Sequence, residues 1–411
     1  MEVIEQELPV SSARSEGRLW SSHEDPRPER VVGRLGSSED GPTLICLGSV
    51  HGNEPAGFLG LQKVVESLHR NATPVAGEFL ALVGNRSALA ARVRFVDEDL
   101  NRSWSSDRLD GLRSGRPPTS VEESELTELA AEIEGAIARA RHGVLLLDLH
   151  TTSGHGPPFG VLDDTLPNRD FAKLFDVPHV VGLEEELDGT VLSHYVARGV
   201  RTFGLESGQH AQVDAIDGAE AAVWVALAGL GLVDRRDVPD LELAEARLRA
   251  GTENLPSVFE VRYRHAIGPA DGFTMNPGFL NFQPIEAGEI LARDAHGPVA
   301  APEGGRVLLP LYQQLGEDGF FVVRRVSGFW MWLSAVMRRI GAERFVHWLP
   351  GVRRAPVGRD SFIVNRRVAR WFALELLHLL GFRRHGRSGQ YLVVSRRPDA
   401  SRPPSGGPAS R

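Results

Sequence analysis

His51 and Glu54 stand three residues apart in "CLGSVHGNEPAGFLGL" (residues 46–61), directly after a short apolar run and among glycines. A histidine followed by a glutamate at i+3, on a turn entering a helix, lets both side chains reach one ion. A third donor must come from elsewhere, and "LLLDLHTT" (residues 145–152) supplies it: His150 closes an apolar strand 150 − 54 = 96 residues downstream. Two His and one carboxylate leave a fourth position open for water, which is the arrangement of catalytic rather than structural zinc. H-x-x-E by itself is a weak signal, more often a solvated helix start, and "DLH" at the next suitable strand end strengthens it. Asp148, two residues before His150, is read as pointing to the opposite face of an ideal strand, so a supporting role for it is held loosely.

These residues need strands to carry them. From about residue 43 to 235, strand-like runs alternate with helical patterns: "TLICLGSV", "GFLGLQKVVESLHR", "GEFLALVG", "VEESELTELAAEIEGAIARAR", "HGVLLLDLH". The alternation predicts an α/β domain with a mixed sheet flanked by helices, whose ligands gather at the carboxyl ends of the strands, where His51 and His150 fall. The full division is an N-terminal extension (1–42), a catalytic α/β domain (43–255), a small all-β domain (256–328), a basic Trp/Arg-rich α+β extension (329–397) with helix-like segments at 329–341 and 365–380, and a Pro/Gly/Ser-rich tail (398–411) read as disordered.

The chain has 411 residues, 42% of them hydrophobic, enough for two or three domains with real cores. No apolar stretch is long enough to cross a membrane, and the acidic N-terminus lacks a signal pattern, so a cytoplasmic location is expected. Cys46, the sole cysteine, is read as a small buried hydrophobe. The net charge of −8 is uneven: residues 326–411 hold 16 Arg, no Lys and four acids, so they carry 16 − 4 = +12 and the remainder −8 − 12 = −20. The segment "FWMWLSAVMRRIGAERFVHWLPGVRR" combines Trp330, Trp332 and Trp348 with Arg338, Arg339, Arg344, Arg353 and Arg354. Such a segment suits an anionic membrane surface, but aromatic residues at helical spacing more often pack on the parent domain or a subunit, and that interface is the favoured expectation. Nucleic-acid binding is not supported, because the catalytic part is acidic and the basic tail has no reader motif.

A further polar segment, "RVRFVDEDLNRSW" (92–104), holds Arg94, Asn101 and Arg102. With "HGNE", "DLH" and "FGLESGQ" in this order, the chain resembles the succinylglutamate desuccinylase and aspartoacylase family, relatives of the zinc carboxypeptidases, over roughly residues 43–325. The resemblance implies one zinc ion per chain, held by His51, Glu54 and His150. It implies Glu206 as the general base acting on the attacking water, Arg94 as the group polarising the scissile carbonyl, and Asn101 with Arg102 as the grip on a substrate carboxylate. It also implies a hydrolase of amide bonds other than peptide bonds, acting on a small N-acyl substrate, and a β domain that narrows the active-site entrance.

The chain departs from the aspartoacylase branch at two places. Leu309 precedes Pro310 where that branch has a tyrosine holding the substrate's side-chain carboxylate, and leucine cannot donate that hydrogen bond. Val196 occupies the spacing of its additional arginine, with Arg198 and Arg201 nearby. An N-acyl amino acid or related amide with a less acidic or larger side is therefore expected, rather than acetylaspartate. The "APEGGRV" hairpin also looks like a lipoyl or biotinyl carrier fold, but the only lysines, Lys63 and Lys173, lie outside residues 256–328, which excludes a swinging arm. The alternatives are a zinc carboxypeptidase or amidase acting on peptides, and a non-catalytic binding protein on the same fold. A homo-oligomer is open to either.

Overall fold

A computed structural model describes residues 27–313, 315–342, 346, 348, 351–354, 361–365, 380–388 and 391–396. The expected tail at 398–411, most of the helix-like segment at 365–380 and the first part of the N-terminal extension lie outside the described residues.

In chain order the first half runs β1 (Val31–Gly36), β2 (Thr43–Gly48), α1 (Ala56–Arg70), β3 (Glu78–Val83), α2 (Arg86–Ala91), α3 (Ser106–Arg113), α4 (Val121–Arg139) and β4 (Val144–Thr152). It continues with β5 (Phe159–Val161), α5 (Leu166–Ala172), β6 (His179–Val181), α6 (Val191–Val196), β7 (Arg201–Gln209), α7 (Val213–Gly229) and α8 (Leu241–Arg249). Then come β8 (Val258–Ala266), β9 (Thr274–Met275), β10 (Pro284–Ile285), β11 (Ile290–Asp294), β12 (Gly297–Ala300), β13 (Gly305–Leu308) and β14 (Asp318–Arg325). Last are α9 (Gly328–Arg339), β15 (Val352–Arg354), β16 (Ser361–Asn365), β17 (Phe382–Ser388) and β18 (Tyr391–Arg396).

The apolar runs become the centre of the main sheet because they are covered on both faces. Along β2, Leu44 and Cys46 enter one core with α1, α7 and α8, while Ile45 and Leu47 enter the opposite core with α3, α4 and α6. Cys46 is buried there as expected, and burial pushes its thiol pKa up, away from nucleophile chemistry. The sheet order is β1-β3-β2-β4-β7-β5-β6-β8-β14-β13-β10. Strands β3, β2, β4 and β7 run parallel, and β1 and β5 join antiparallel, so the sheet is mixed as predicted.

Two departures matter. β1 lies ahead of residue 43, where the sequence reading opens the catalytic domain, yet it pairs with β3. The segment 256–328 is all-β, but it is not a detached unit: β8 pairs in parallel with β6, so β14, β13 and β10 extend the main sheet, and only β12-β11-β9 form a small sheet of their own. Texture along the chain marks the change to short strands and contains no signal for edge pairing.

The basic extension is α+β, with α9 followed by the sheet β15-β16-β18-β17. Its tryptophans do not pack onto the body as expected. Trp330, Trp332 and Trp348 are 53%, 60% and 73% exposed, whereas Ser334 and Arg338 of α9 are buried. Arg338 reaches Asp164, and this ion pair fixes which face of α9 turns inward. Among the described residues no helix is long and apolar enough to cross a membrane.

Candidate active site

His51, His150 and Glu206 lie at the carboxyl ends of β2, β4 and β7, three adjacent parallel strands. After β2 the chain turns sharply: Ser49 takes a left-handed φ of 57°, and a Cβ on Gly52 would fall 2.0 Å from the Ala88 backbone. Only glycine permits that approach, which draws the His51 turn against α2. Gly52 N–H also donates to Arg94 O at 3.1 Å, joining this turn to the loop that carries Arg94.

Glu54 stands between the two histidines. Its Oε1 is 2.9 Å from His51 Nδ1 and its Oε2 is 3.1 Å from His150 Nδ1, with Thr151 N–H donating to Oε2 at 2.9 Å. One donor atom from each of His51, Glu54 and His150 fits within 4.8 Å of the others, a spacing that could hold a metal ion. Each histidine keeps its other ring nitrogen on a carboxylate: His51 Nε2 on Asp99 Oδ1 at 3.1 Å, and His150 Nε2 on Asp148 Oδ2 at 2.9 Å. Such contacts fix the tautomer that presents Nδ1 to an ion. Burial opposes ionisation of Glu54 and Asp99, but the adjacent histidines hold both carboxyls well below the usual carboxylate range. Burial likewise opposes charge on His150, and Asp148 and Glu54 together raise its pKa well above the usual value.

The expectation that Asp148 faces away from His150 is corrected by this geometry. Side chains alternate along a strand, so residues two apart share a face. Asp99 was missed altogether: three acids crowd "VDEDLNR", and the fold selects the one that turns inward.

The remaining predicted residues line the same cavity of about 160 Å³. Arg94 Nη2 donates to Asp99 Oδ2 at 2.9 Å, and its Nη1 is 3.7 Å from Glu54 Oε1. Glu206 sits beside His150 in the β4–β7 register. Its Oε2 is buried with no hydrogen-bond partner, and burial, strengthened by the Glu54 and Asp148 charges, pushes its pKa up to about 8. Asn101 Oδ1 accepts from Val191 N–H at 3.1 Å, fastening the loop to the start of α6. Arg102 Nη2 donates to Asp318 Oδ2 at 3.2 Å and its Nε lies 3.6 Å from Glu317, both acids coming from the β region.

That region forms one wall of the cavity. Leu309, Leu311, Gln313 and Asp318 line the cavity. Leu309 holds a left-handed φ of 50°, with its N–H donating to Asn281 Oδ1 at 2.7 Å. Gln313 Oε1 accepts from Asn53 at 2.8 Å and lies 3.2 Å from His210 Nε2, and His210 Nδ1 lies 2.7 Å from Thr151 Oγ1. His210 and Gln313 carry no spacing signal in sequence, being brought together from distant segments. Glu122 also escaped notice. It is fully buried, and its carboxylate accepts the N–H groups of Val96, Asp97 and Glu98 plus Asn85 Nδ2, so it clamps the loop bearing Arg94, Asp99, Asn101 and Arg102. Val196 is buried in α6, Arg198 pairs with Glu134 at 2.8 Å, and neither Arg198 nor Arg201 lines the cavity.

Residues 40–226 match the sequence model of the Succinylglutamate desuccinylase/Aspartoacylase catalytic domain. Over this segment, somewhat less than half of the chain, the protein is similar to the succinylglutamate desuccinylase/aspartoacylase family. A succinylglutamate desuccinylase from Burkholderia thailandensis is 28% identical over 268 residues, covering 61% of this chain and 70% of its own. One from Pseudomonas paraeruginosa is 31% identical over 117 residues, covering 28% of this chain and 33% of its own. In structure, a succinylglutamate desuccinylase/aspartoacylase from Rhodobacter sphaeroides shares the fold with a TM-score of 0.53 at 19% identity, covering 72% of this chain and 88% of its own. These relatives are named succinylglutamate desuccinylase or succinylglutamate desuccinylase/aspartoacylase, which are deacylase names.

Proposed function

We propose that the protein is a zinc-dependent deacylase that hydrolyses the amide bond of an N-acyl amino acid or a related small carboxylate-bearing amide. The observation that carries this reading is the convergence of His51, Glu54 and His150 on one point beside Glu206, whose Oε2 is buried without a partner. The donor set suits zinc: two imidazoles and one carboxylate, each imidazole steadied by its own aspartate. Zinc bound there would lower the pKa of water to about 7 and polarise a carbonyl.

The chain's own groups supply the rest. Glu206 accepts a proton from the attacking water and delivers it to the leaving nitrogen. Burial pushes its carboxyl pKa up to about 8, and a cation held by the triad would draw it back toward a working base. The Arg94 guanidinium faces the carbonyl oxygen as negative charge develops on it. Asn101, through its NH₂, and Arg102 hold the substrate carboxylate.

The cavity also favours one kind of acyl group. Arg94 and Arg102 are each partnered by carboxylates of this chain, and Asp163 and Glu317 add negative charge to the lining. A second acidic group on the substrate would meet these acids, whereas Leu183, Leu187, Leu192, Leu309, Leu311 and Phe321 offer an apolar wall. We therefore assign an uncharged acyl group larger than acetyl. A screen of metal-loaded protein against N-acyl amino acids tests this: release of free amine, fastest from uncharged, extended acyl groups, is expected. No amine from any member would overturn the deacylase reading, and fastest release from succinyl substrates would overturn the acyl assignment alone.

A further inference from the structure

Helix α9 is mounted in reverse. At 100° per residue, Met331, Ser334 and Arg338 share one face, and Phe329, Trp332, Leu333, Val336 and the following Ile340 share the other. An amphipathic helix ordinarily turns its apolar stripe to the core. Here Ser334 and Arg338 are buried, while Phe329, Trp332 and Ile340 are 59%, 60% and 72% exposed.

The inward face is held by polar contacts. Arg338 Nη2 donates to Asp164 O at 2.8 Å, and its Nη1 lies 3.4 Å from Asp164 Oδ2. Arg169 donates to Met331 O at 3.2 Å and to Ser334 Oγ at 3.1 Å. These bonds commit α9 to its orientation. Outside, Phe329 forms ring contacts with Trp330 at 5.4 Å and with Trp332 at 6.1 Å. Arg324 and Arg325 precede this cluster and Arg339 follows it, all three exposed, and residues 319–342 contain no Asp or Glu.

We propose that this outward face of α9 docks the protein on an anionic lipid membrane. Indole and phenyl rings enter the headgroup boundary while neighbouring guanidiniums pair with phosphate. An acidic protein surface would answer the arginines and leave the rings in water. A second copy meeting the same face about a two-fold axis would set arginines against arginines. The charge of the whole chain fits membrane docking, since residues 326–411 carry +12 and the rest −20, so an anionic surface attracts this end and repels the body. The inference stands apart from the deacylase reading.

Flotation of the full chain with phosphatidylcholine vesicles, with and without phosphatidylglycerol, tests the proposal. Binding is expected only with phosphatidylglycerol, weakened by salt, and about fivefold weaker for R339Q, whose exposed guanidinium lies on α9 itself. The double variant F329S/W332S is expected to lose binding with its melting temperature unchanged, because both side chains already face water. No binding of the wild type to phosphatidylglycerol vesicles at low salt would overturn the proposal, as would equal binding by the folded double variant. A wild-type dimer that F329S/W332S converts to monomer would assign the face to a second copy instead.

Discussion

Asp99 Oδ1 lies 3.1 Å from His51 Nε2, and the same carboxylate takes Arg94 Nη2 on its other oxygen at 2.9 Å. One side chain thus orients both an imidazole of the His51–Glu54–His150 cluster and the guanidinium that we propose faces the substrate carbonyl. Replacing it by asparagine keeps the shape and removes the charge. For D99N, zinc affinity is expected to fall about 10–100-fold, measured by competition with a chelator of known affinity. Affinity equal to that of the parent would remove Asp99 from the metal's support.

The base assignment is checked by E206Q. Glutamine fills the same buried space but cannot take the proton, so turnover is expected to fall about 10²–10⁴-fold, with zinc content by elemental analysis unchanged. Turnover near the parent's would place the base elsewhere.

The part of this site that was legible in sequence is the part written locally. β2 and β4 are short apolar runs because both faces of the central strands are covered, and a polar residue ending such a run, as His150 does, stands out. His51 and Glu54 are adjacent on one turn, so spacing alone links them. Asp99 and Glu122 are different: each lies in a stretch of acids that looks like a solvated loop or helix start, and Glu122 in the first turn of α4 resembles an ordinary dipole partner. Burial distinguishes them, and burial is decided by chain segments far away. The same holds for Gln313 with His210, and for the pairing of β8 with β6. In α9 the spacing located the helix, but the Arg338–Asp164 pair, 174 residues apart, reversed the face it buries.

Glu122 offers a test of how far the loop depends on its clamp. Three backbone N–H groups and Asn85 point at its carboxylate. E122Q turns an NH₂ toward some of these donors, leaving them unsatisfied in a buried place. A loss of about 2–3 kcal/mol in unfolding free energy is expected, read by chemical denaturation. Together with this loss, KM should rise, because the loop carries Arg102. Parent-like stability would show that the loop holds itself without Glu122.

Arg102 serves two partners in this scheme, and they can be separated. In the structure it is bonded to Asp318, which also takes Arg264 Nε, so a substrate carboxylate must share or replace Asp318 at the guanidinium. Removing that competing charge in D318N is expected to lower KM for a carboxylate-bearing substrate while leaving KM for the matching carboxamide unchanged. R102K, which exchanges a planar fork for a point charge, is expected to raise KM for the carboxylate form about tenfold, the worth of one charged hydrogen bond, with kcat changing less. If both variants leave the KM ratio of carboxylate to carboxamide where it was, Arg102 belongs to the junction between the β region and the cleft, and the substrate carboxylate is held by another group.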